Sequence, residues 1–259
     1  TRMKKVLIIG IGAGNPDYVT MQAVKALNEG DVFFFLDKGE AKEDLVNLRT
    51  TICERFIKDR SYRTVEVESP QRDASTPDYK SGVHAWHRDK ADIFSKLIGD
   101  ELRDGEVGAF LVWGDPSLYD STIRVIQQIV AERRVAFDYD VIPGITSVQA
   151  LAAQHRIALN AIGEPVHITT GRKLTEGLPP GVDTAVIMLD NGSGLRALAG
   201  EDVDIYWGAY LGTADEVLVA GKLGDRVEEI EQLRARERER KGWIMDTYLL
   251  RRSPANDRS

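Results

Sequence analysis

The feature that most constrains the fold is a set of three turns, each of which follows a short apolar segment. The run Gly108–Tyr119 begins as an apolar strand pattern and then reaches Gly114-Asp115-Pro116. Similar turns occur at Gly10–Pro16 and Ile142–Thr146. Glycine lets a ligand approach the backbone closely, proline fixes the chain direction, and ligands of open α/β sheets bind where strands end. Three such strand ends predict one elongated small-molecule site.

Strands and helices alternate through the first half of the chain, which is typical of a parallel sheet with helices on its faces. The predicted strands are Val6–Ile9, Val32–Leu36, Thr64–Val67, Val107–Val112 and Phe137–Ile142. The predicted helices are Thr20–Asn28, Glu43–Phe56, Val83–Leu102 and Thr122–Arg133. Thr20 is suited to cap the first helix and Gly30 to end it. Residues 68–82 are polar and contain two prolines, so we predict a surface loop or lid there.

The second half has fewer helical patterns between its strands, so a mixed α+β domain is predicted. Its expected strands are Val166–Thr169, Thr184–Met188, Ile205–Tyr210 and Glu216–Gly221. The segment Val227–Lys241 carries alternating charges at helical spacing and predicts a solvated helix. We therefore expect an α/β protein of two domains, residues 1–150 and residues 151–259.

Composition narrows the class of protein. Of 259 residues, 42% are hydrophobic and 29% are charged, and the net charge of −7 does not favour a nucleic-acid partner. No stretch approaches the ~18 apolar residues of a membrane span. The basic residues near the start lead directly into a strand rather than into a signal-peptide core, and Cys53 alone forms no internal disulfide. These features favour a cytoplasmic protein.

The glycines of Gly10–Pro16 also suggest a dinucleotide-binding turn, which they fit poorly. That fingerprint needs glycine at its first, third and sixth positions, whereas the sixth position here is Asn15. A loop separates this turn from the helix near Thr20, while a dinucleotide fold holds pyrophosphate at an immediate helix N-terminus. Asp37 stands roughly where a ribose-binding acid would, and alone it is weak support for nicotinamide binding.

Each candidate residue also has a purely structural interpretation. Asp115 would serve as an N-cap, Tyr119 as a packed aromatic residue and Pro143-Gly144 as a plain turn. Their joint appearance at successive strand ends favours the functional interpretation. The segment Thr169–Arg172 is either a helix cap with a surface arginine or a site for an anionic substrate, because the arginine fork suits carboxylates.

The four histidines are His84, His87, His155 and His167. His84 and His87 are three residues apart and share a helix face. A metal pair usually needs a third ligand, and none is evident in the sequence, so no metal site is predicted. Surface, structural and substrate-binding roles stay open for these side chains.

Together, the three turns resemble the signatures of the tetrapyrrole methylase family. The matching segments are Gly10-x-Gly-x-Gly-Asn-Pro16 with Thr20, Trp113-Gly-Asp-Pro-x-x-Tyr119, and Ile142-Pro-Gly-Ile-Thr-Ser147. The resemblance spans nearly the whole chain. It implies an S-adenosylmethionine-dependent methyltransferase with a tetrapyrrole substrate. It also implies the two-domain class III methyltransferase fold, with the cofactor in the cleft between a parallel-sheet domain and a mixed one.

One position departs from the family pattern. Where the first signature usually has Gly-Asp-Pro, this chain has Gly14-Asn15-Pro16, which weakens any role for a carboxylate there. The other positions of the family's cofactor site carry over residue by residue. They are Pro16, Trp113, Gly114, Asp115, Leu118, Thr146, Ser147, Leu189 and Tyr210. We expect backbone groups at these strand ends to bind the cofactor, and the Asp115 carboxylate to favour its positive sulfonium.

Catalytic candidates are polar side chains near the same turns. Asp120, His87 and His84 are candidate general bases, and Tyr119 and Tyr210 are candidate hydrogen-bond donors. A tetrapyrrole carries many carboxylates, so cations near strand ends are candidates for substrate binding. These are Arg172, Lys38 and Arg124.

Alternatives remain within and outside this family. One alternative is a uroporphyrinogen- or precorrin-type methylase, and members of these types differ in the ring carbon that they methylate. Another is an enzyme of diphthine synthesis, which acts on a protein substrate. The segments Trp86-His87 and Tyr206–Gly212 argue against the uroporphyrinogen and diphthine types. A non-catalytic module that keeps the cofactor fold is the alternative from a different class. Members of the family often form homodimers, and the sequence does not settle the oligomeric state.

Overall fold

The computed structural model describes residues 2–37, 43–70 and 79–252. Lys38 and the central part of the predicted 68–82 loop lie outside the described residues. The chain divides into two compact units, Thr1–Thr146 and Ser147–Ser259. The boundary predicted near residue 150 falls inside a helix, whereas the division lies just before that helix begins at Ser147.

In the first unit, strands alternate with helices as predicted. The strands are β1 (Lys4–Gly10), β2 (Val32–Asp37), β3 (Arg63–Glu68), β4 (Val107–Val112) and β5 (Phe137–Ile142). The helices are α1 (Met21–Glu29), α2 (Glu43–Phe56), α3 (Tyr79–Lys96) and α4 (Thr122–Ala131). A 3-10 turn covers Pro16–Tyr18 and a π-helical turn covers Leu97–Glu101. Thr20 caps α1, since its hydroxyl oxygen accepts the Ala23 N–H at 3.0 Å.

The five strands form a parallel sheet in the order β3-β2-β4-β1-β5. Central strand β1 sends alternate residues to two separate cores. Val6 and Ile8 pack with residues of α3 and α4, while Leu7 and Ile9 pack with residues of α1 and α2. Successive side chains of a strand point to opposite faces, so a strand covered on both sides is apolar at every position. This burial explains the continuous apolar run of β1.

The second unit is a mixed sheet with helices, which confirms the predicted α+β character. Its strands are β6 (Val166–Thr170), β7 (Thr184–Met188), β8 (Val203–Ala209), β9 (Val217–Lys222) and β10 (Asp246–Arg252). The sheet order is β6-β7-β10-β8-β9; β6 and β7 pair in parallel, and the other pairs are antiparallel. The helices are α5 (Ser147–His155), α6 (Gly171–Leu174), α7 (Ser193–Ala197) and α8 (Leu223–Lys241). Trp207 and Tyr248 are fully buried in its core.

Several element boundaries differ from the predictions. β10 was not predicted, because its apolar run Tyr248–Leu250 is short and charged residues flank it. The helix predicted from Val83 begins at Tyr79, and its α-helical part ends at Lys96. β8 stops at Ala209 rather than Tyr210, because Tyr210 has a positive φ of 49° that no strand accommodates.

The helix predicted over Val227–Lys241 begins earlier, at Leu223. Within the described ranges, no helix is long and apolar enough to cross a membrane.

Candidate active site

The three turns singled out in the sequence lie at the ends of neighbouring strands. β1 pairs with both β4 and β5, so their carboxyl ends meet at one edge of the first sheet. Beyond the strands, the backbones of Gly12 and Gly114 continue to pair: Gly114 N donates to Gly12 O at 2.8 Å, and Gly12 N to Gly114 O at 3.3 Å. This edge is where open α/β sheets bind ligands.

Glycine is required here by the close approach of backbones. A Cβ on Gly144 would lie 2.1 Å from the carbonyl oxygen of Gly114, and a Cβ on Gly10 would lie 2.7 Å from Gly144 N. Gly114 also has a φ of +68°, which side chains rarely adopt. The predicted turn glycines therefore let three loops pack backbone to backbone.

Asp115 ties two of these loops together. Its Oδ2 accepts Gly144 N–H at 2.9 Å, and its Oδ1 accepts Ser117 N–H at 2.8 Å and the Ser117 hydroxyl. Partial burial favours the protonated carboxyl, but the bonds from Ser117 and Gly144 outweigh it and lower the pKa of Asp115. The carboxylate is thus a fixed negative charge at the strand ends, and both its oxygens are engaged within the protein.

The departure at Asn15 has a local explanation. The Asn15 side-chain oxygen accepts Asp17 N–H at 2.9 Å and caps the 3-10 turn that starts at Pro16. Asparagine supplies the same acceptor as aspartate at a cap. The turn therefore keeps its geometry and loses a negative charge.

The remaining first-unit cofactor candidates surround this edge. Trp113 and Leu118 are half-buried in the loop after β4, and Thr146 is buried just before α5. In the second unit, Ser147 begins α5 and its hydroxyl oxygen accepts the Thr247 hydroxyl at 3.1 Å. Trp113 and Leu118 supply apolar surface, while the threonine and serine supply hydroxyls.

Tyr119 and Asp120 follow in the same loop. Tyr119 is 44% exposed and has a φ of +51°, which is uncommon for a residue other than glycine. Partial burial raises the pKa of its phenol, so it is a hydrogen-bond donor at neutral pH. Asp120 Oδ1 accepts Thr122 N–H at 2.7 Å, so one of its oxygens is bonded to the first residue of α4, whose N-cap is Ser121.

His87 lies on α3 and is half-buried beside Trp86, with ring centres 5.5 Å apart. Burial lowers its pKa, and the positive charges of Lys90 and Arg124 lower it further, with a smaller effect from His84. Arg124 also donates to the backbone oxygen of Asp120 at 3.2 Å. The structure therefore brings His87, Arg124 and Asp120 into one neighbourhood, with His87 held neutral.

Two residues of this neighbourhood were missed in the sequence. Lys90 is buried, donates to the Ser121 hydroxyl at 2.9 Å and lies over the Trp86 ring. Lys90 lies four residues after Trp86 and four residues before Phe94, so all three share one helix face. This spacing could have indicated a lysine packed against aromatic rings. Arg49 on α2 donates to Leu111 O at 3.1 Å, at the end of β4.

The Arg49 guanidinium acts on the same loop through charge. Burial lowers the pKa of Arg49, and the nearby Asp120 carboxylate opposes that shift. The sequence signal for Arg49 was weak, since a single arginine on a helical pattern is ordinary.

In the second unit, Leu189 follows β7 directly. Its side chain is 68% exposed, and its φ is +53°. An exposed apolar side chain on strained backbone is unusual, and such residues cluster at functional sites. The ligand-contact role of Leu189 stays a prediction.

Tyr210 is placed differently from the prediction that its side chain donates to a ligand. It is buried, and its hydroxyl donates to Trp243 O at 2.6 Å. Its N–H donates to Met245 O, and its carbonyl accepts both the N–H and the hydroxyl of Thr213. The polar atoms of Tyr210 are therefore all engaged within the protein and hold the loop after β8, so its hydroxyl is not the predicted donor. Its contact with the cofactor stays a prediction.

A buried polar network lies under Leu189. The carboxylate of Asp190 accepts the Tyr248 hydroxyl at 2.6 Å and backbone N–H groups of the following loop. Arg234 donates to Asp190 O and to Asp246, both at 2.8 Å, and Trp207 donates to Asp246 at 2.8 Å. Burial raises the pKa of Asp246, and the Arg234 charge opposes this shift. The network fixes the chain immediately after Leu189.

The substrate-binding candidates are less tightly placed. Arg124 and Arg172 are exposed, on α4 and at the start of α6. Lys38 lies outside the described residues. In the part of the chain that the structure describes, no three histidine, cysteine, aspartate or glutamate side chains are grouped as a metal site would require.

Comparison with known proteins identifies what the chain is similar to. The family model of tetrapyrrole (corrin/porphyrin) methylases matches residues 5–226. Precorrin-6A synthase (deacetylating) of a Sinorhizobium species is 49% identical over 250 residues, which cover 96% of each chain.

Two solved structures share the fold of this chain. A cobalamin-synthesis-related protein (CobF) of Corynebacterium diphtheriae is 38% identical, with a TM-score of 0.81 over 96% of this chain and 98% of that one. A cobalt precorrin-4 methyltransferase, CbiF, shares the fold at 16% identity, with a TM-score of 0.63 over 96% of this chain and 94% of that one.

Proposed function

Because the chain belongs to the tetrapyrrole methylase family, we propose that it is an S-adenosylmethionine-dependent methyltransferase of cobalamin biosynthesis. The proposed reaction methylates carbon-1 of precorrin-5 and releases the acetyl group of that carbon as acetate, which gives precorrin-6A. The observation that carries the proposal is the 49% identity to a precorrin-6A synthase (deacetylating) over 96% of both chains.

The residues at the strand ends fit S-adenosylmethionine. This ligand has an aromatic base, a sulfonium and an amino-acid end. In the first unit, the half-buried Trp113 and Leu118 offer apolar surface for the base. In the second unit, the exposed Leu189 is a separate candidate for an apolar contact. Turns at Pro16 and Gly114 offer backbone groups. Asp115 adds a fixed negative charge that favours a sulfonium.

When bound, S-adenosylmethionine supplies an activated methyl group. The protein therefore contributes mainly position to methyl transfer. The Asp115–Gly144 bond holds two loops of the first unit, and the Asp190 network holds Leu189 in the second. Both arrangements are made by hydrogen bonds within the protein, which restrict the conformations of these loops.

Acetate release needs chemistry from the chain itself. A water oxygen bonds to the acetyl carbonyl carbon, and the bond from that carbon to carbon-1 breaks. The bonding electrons pass to the macrocycle, which then accepts the methyl group at carbon-1, and a base takes the proton of the water. His87 suits this base, because its lowered pKa keeps the imidazole neutral.

The neighbouring groups support other parts of the step. Tyr119 is a hydrogen-bond donor for the oxyanion that forms on the acetyl carbonyl. Asp120 remains the second candidate base through its Oδ2, since its Oδ1 accepts the Thr122 N–H. Arg124, Arg172 and Lys38 are proposed to bind substrate carboxylates, since arginine and lysine pair with them directly.

Further parts of the proposal concern the setting of the enzyme. A cytoplasmic location is supported by the single cysteine, Cys53, which is a buried free thiol and forms no disulfide within the chain. A homodimer stays a prediction. A methylase acting at another ring carbon, or a non-catalytic cofactor-binding module, is the competing function.

The test incubates the protein with precorrin-5 and S-adenosylmethionine labelled in its methyl group. We expect labelled precorrin-6A and acetate in equal amounts. Labelled product without acetate would indicate a methylase of different regiochemistry. Cofactor binding without methyl transfer would indicate the non-catalytic module, and either result would overturn the proposed reaction.

A further inference from the structure

The second unit contains an open cavity of about 680 Å³ between α7 and α8. Its polar lining consists of Asn191, Ser193, Arg196, Glu231, Arg234 and Arg238. Ala197 and Ala235 add small apolar surfaces. A volume of this size suits a small organic molecule rather than a single ion.

The lining is positively charged. It contains three guanidinium groups and one carboxylate. Arg196 and Glu231 satisfy each other, with two parallel contacts of 2.8 and 2.9 Å. Arg234 is held by Asp246 and by the carbonyl of Asp190.

Arg238 is the exception among these arginines. It lies one helical turn after Arg234 on α8, so both side chains share a face. It is exposed, and its charge acts on the buried Asp246, which Arg234 already pairs. Among the described residues, the structure records no hydrogen bond or ion pair for its guanidinium. Five N–H donors are therefore available at the cavity wall.

We propose that this cavity binds a small organic carboxylate, whose charged group pairs with the fork of Arg238. A planar fork matches a carboxylate with two parallel hydrogen bonds. With Arg196 paired to Glu231 and Arg234 paired to Asp246 behind the wall, one guanidinium remains, which matches one negative charge better than the two of a phosphate. The carbon chain of the ligand would lie on Ala197 and Ala235. The site belongs to the second unit alone and does not depend on the proposed methyl transfer.

The test is calorimetric titration with butyrate, in the absence of cofactor and tetrapyrrole. We expect saturable butyrate binding and no binding of the neutral isostere butyramide. Arg238→Gln should weaken butyrate binding about tenfold or more, because it removes a charge-assisted pair. Arg238→Lys should be intermediate, since it keeps the charge and loses the fork.

Arg236→Gln is the matched control. Arg236 is exposed on the same helix and pairs with Glu237, and it does not line the cavity. It should leave butyrate affinity unchanged, and the thermal midpoints of the variants should stay close to the wild-type value. Absent butyrate binding, equal butyramide binding, binding of inorganic phosphate alone, or affinity unchanged by Arg238→Gln would each overturn the proposal.

Discussion

At the residue scale, Asp115 combines a charge with a structural bond. Its carboxylate joins the loop after β4 to Gly144 in the loop after β5. We predict that Asp115→Ala weakens S-adenosylmethionine binding, because it removes both the negative charge and the tie between loops. Losing one charge-assisted interaction with the cofactor would cost roughly 1.5–3 kcal/mol of binding free energy.

Calorimetry on Asp115→Ala, beside the exposed control Asp89→Ala, measures this effect. A sharp fall in melting temperature with unchanged cofactor affinity would instead assign Asp115 a purely structural role.

His87 makes a prediction about pH. Partial burial and the charges of Lys90 and Arg124 lower its pKa below the ordinary 6.5. The folded protein therefore takes up this proton less readily than the unfolded chain, so stability is lost as pH falls below 6.5. A neutral base also keeps working below that pH. Arg124→Gln should raise the pKa of His87 and move the acid limb of acetate release to higher pH.

Proton NMR titration of the His87 ring, beside the pH profile of acetate release, checks both statements. Arg88→Gln provides the same change of charge on a neighbouring exposed residue of α3. An acid limb that moves equally in both variants would exclude a specific effect of Arg124.

At the scale of elements, the strand ends depend on glycine. We predict that Gly144→Ala destabilises the protein by about 1–3 kcal/mol or more, because its Cβ would lie 2.1 Å from Gly114 O. Backbone on both sides leaves little room for adjustment. Gly99→Ala is the control, since its nearest contact would be 3.8 Å from Val135 Cγ2. Urea unfolding of the two variants should separate them, and equal stabilities would contradict the close approach.

The network beneath β7 makes a second prediction at this scale. Tyr248→Phe removes the hydroxyl that donates to Asp190, next to Leu189. We expect it to cost about 1–3 kcal/mol in stability and to weaken S-adenosylmethionine binding severalfold. Tyr206→Phe on β8 is the control, because the structure records ring packing against His155 and no hydrogen bond for the Tyr206 hydroxyl among described residues. Equal affinity of the two variants for S-adenosylmethionine would show that the Asp190 network does not contribute to cofactor binding.

At the scale of the whole molecule, each unit has a core of its own. The first sheet is covered on both faces, and the second unit packs α6, α7 and α8 on its sheet. We predict that S-adenosylhomocysteine raises the melting temperature, with a stabilisation of about 2.7 kcal/mol at 100 times its dissociation constant. The same shift is expected with a chelator present. A shift that the chelator abolishes would contradict metal-independent binding.

The alternation of strands and helices, the extent of α2 and β4, and the three turns were determined by the sequence itself. These features are local: strand periodicity, the Thr20 cap and glycine-proline turns act over a few residues. The signature turns also carried the family assignment, which the comparisons confirm.

Tertiary structure alone decided the rest. β10 forms a strand because it pairs on both sides with β7 and β8, which are distant in the chain. The Tyr210 side chain is buried because its hydroxyl donates to the Trp243 carbonyl. Lys90 is buried because its ammonium donates to the Ser121 hydroxyl and packs over the Trp86 ring. Ser121, Trp243 and the strands beside β10 are remote in sequence from the residues they contact, so no local pattern could specify those contacts. The Lys90–Trp86 contact spans four residues of one helix and was open to a local interpretation. The sequence determines which strand ends carry the candidate site, while long-range pairing determines which side chains remain available there.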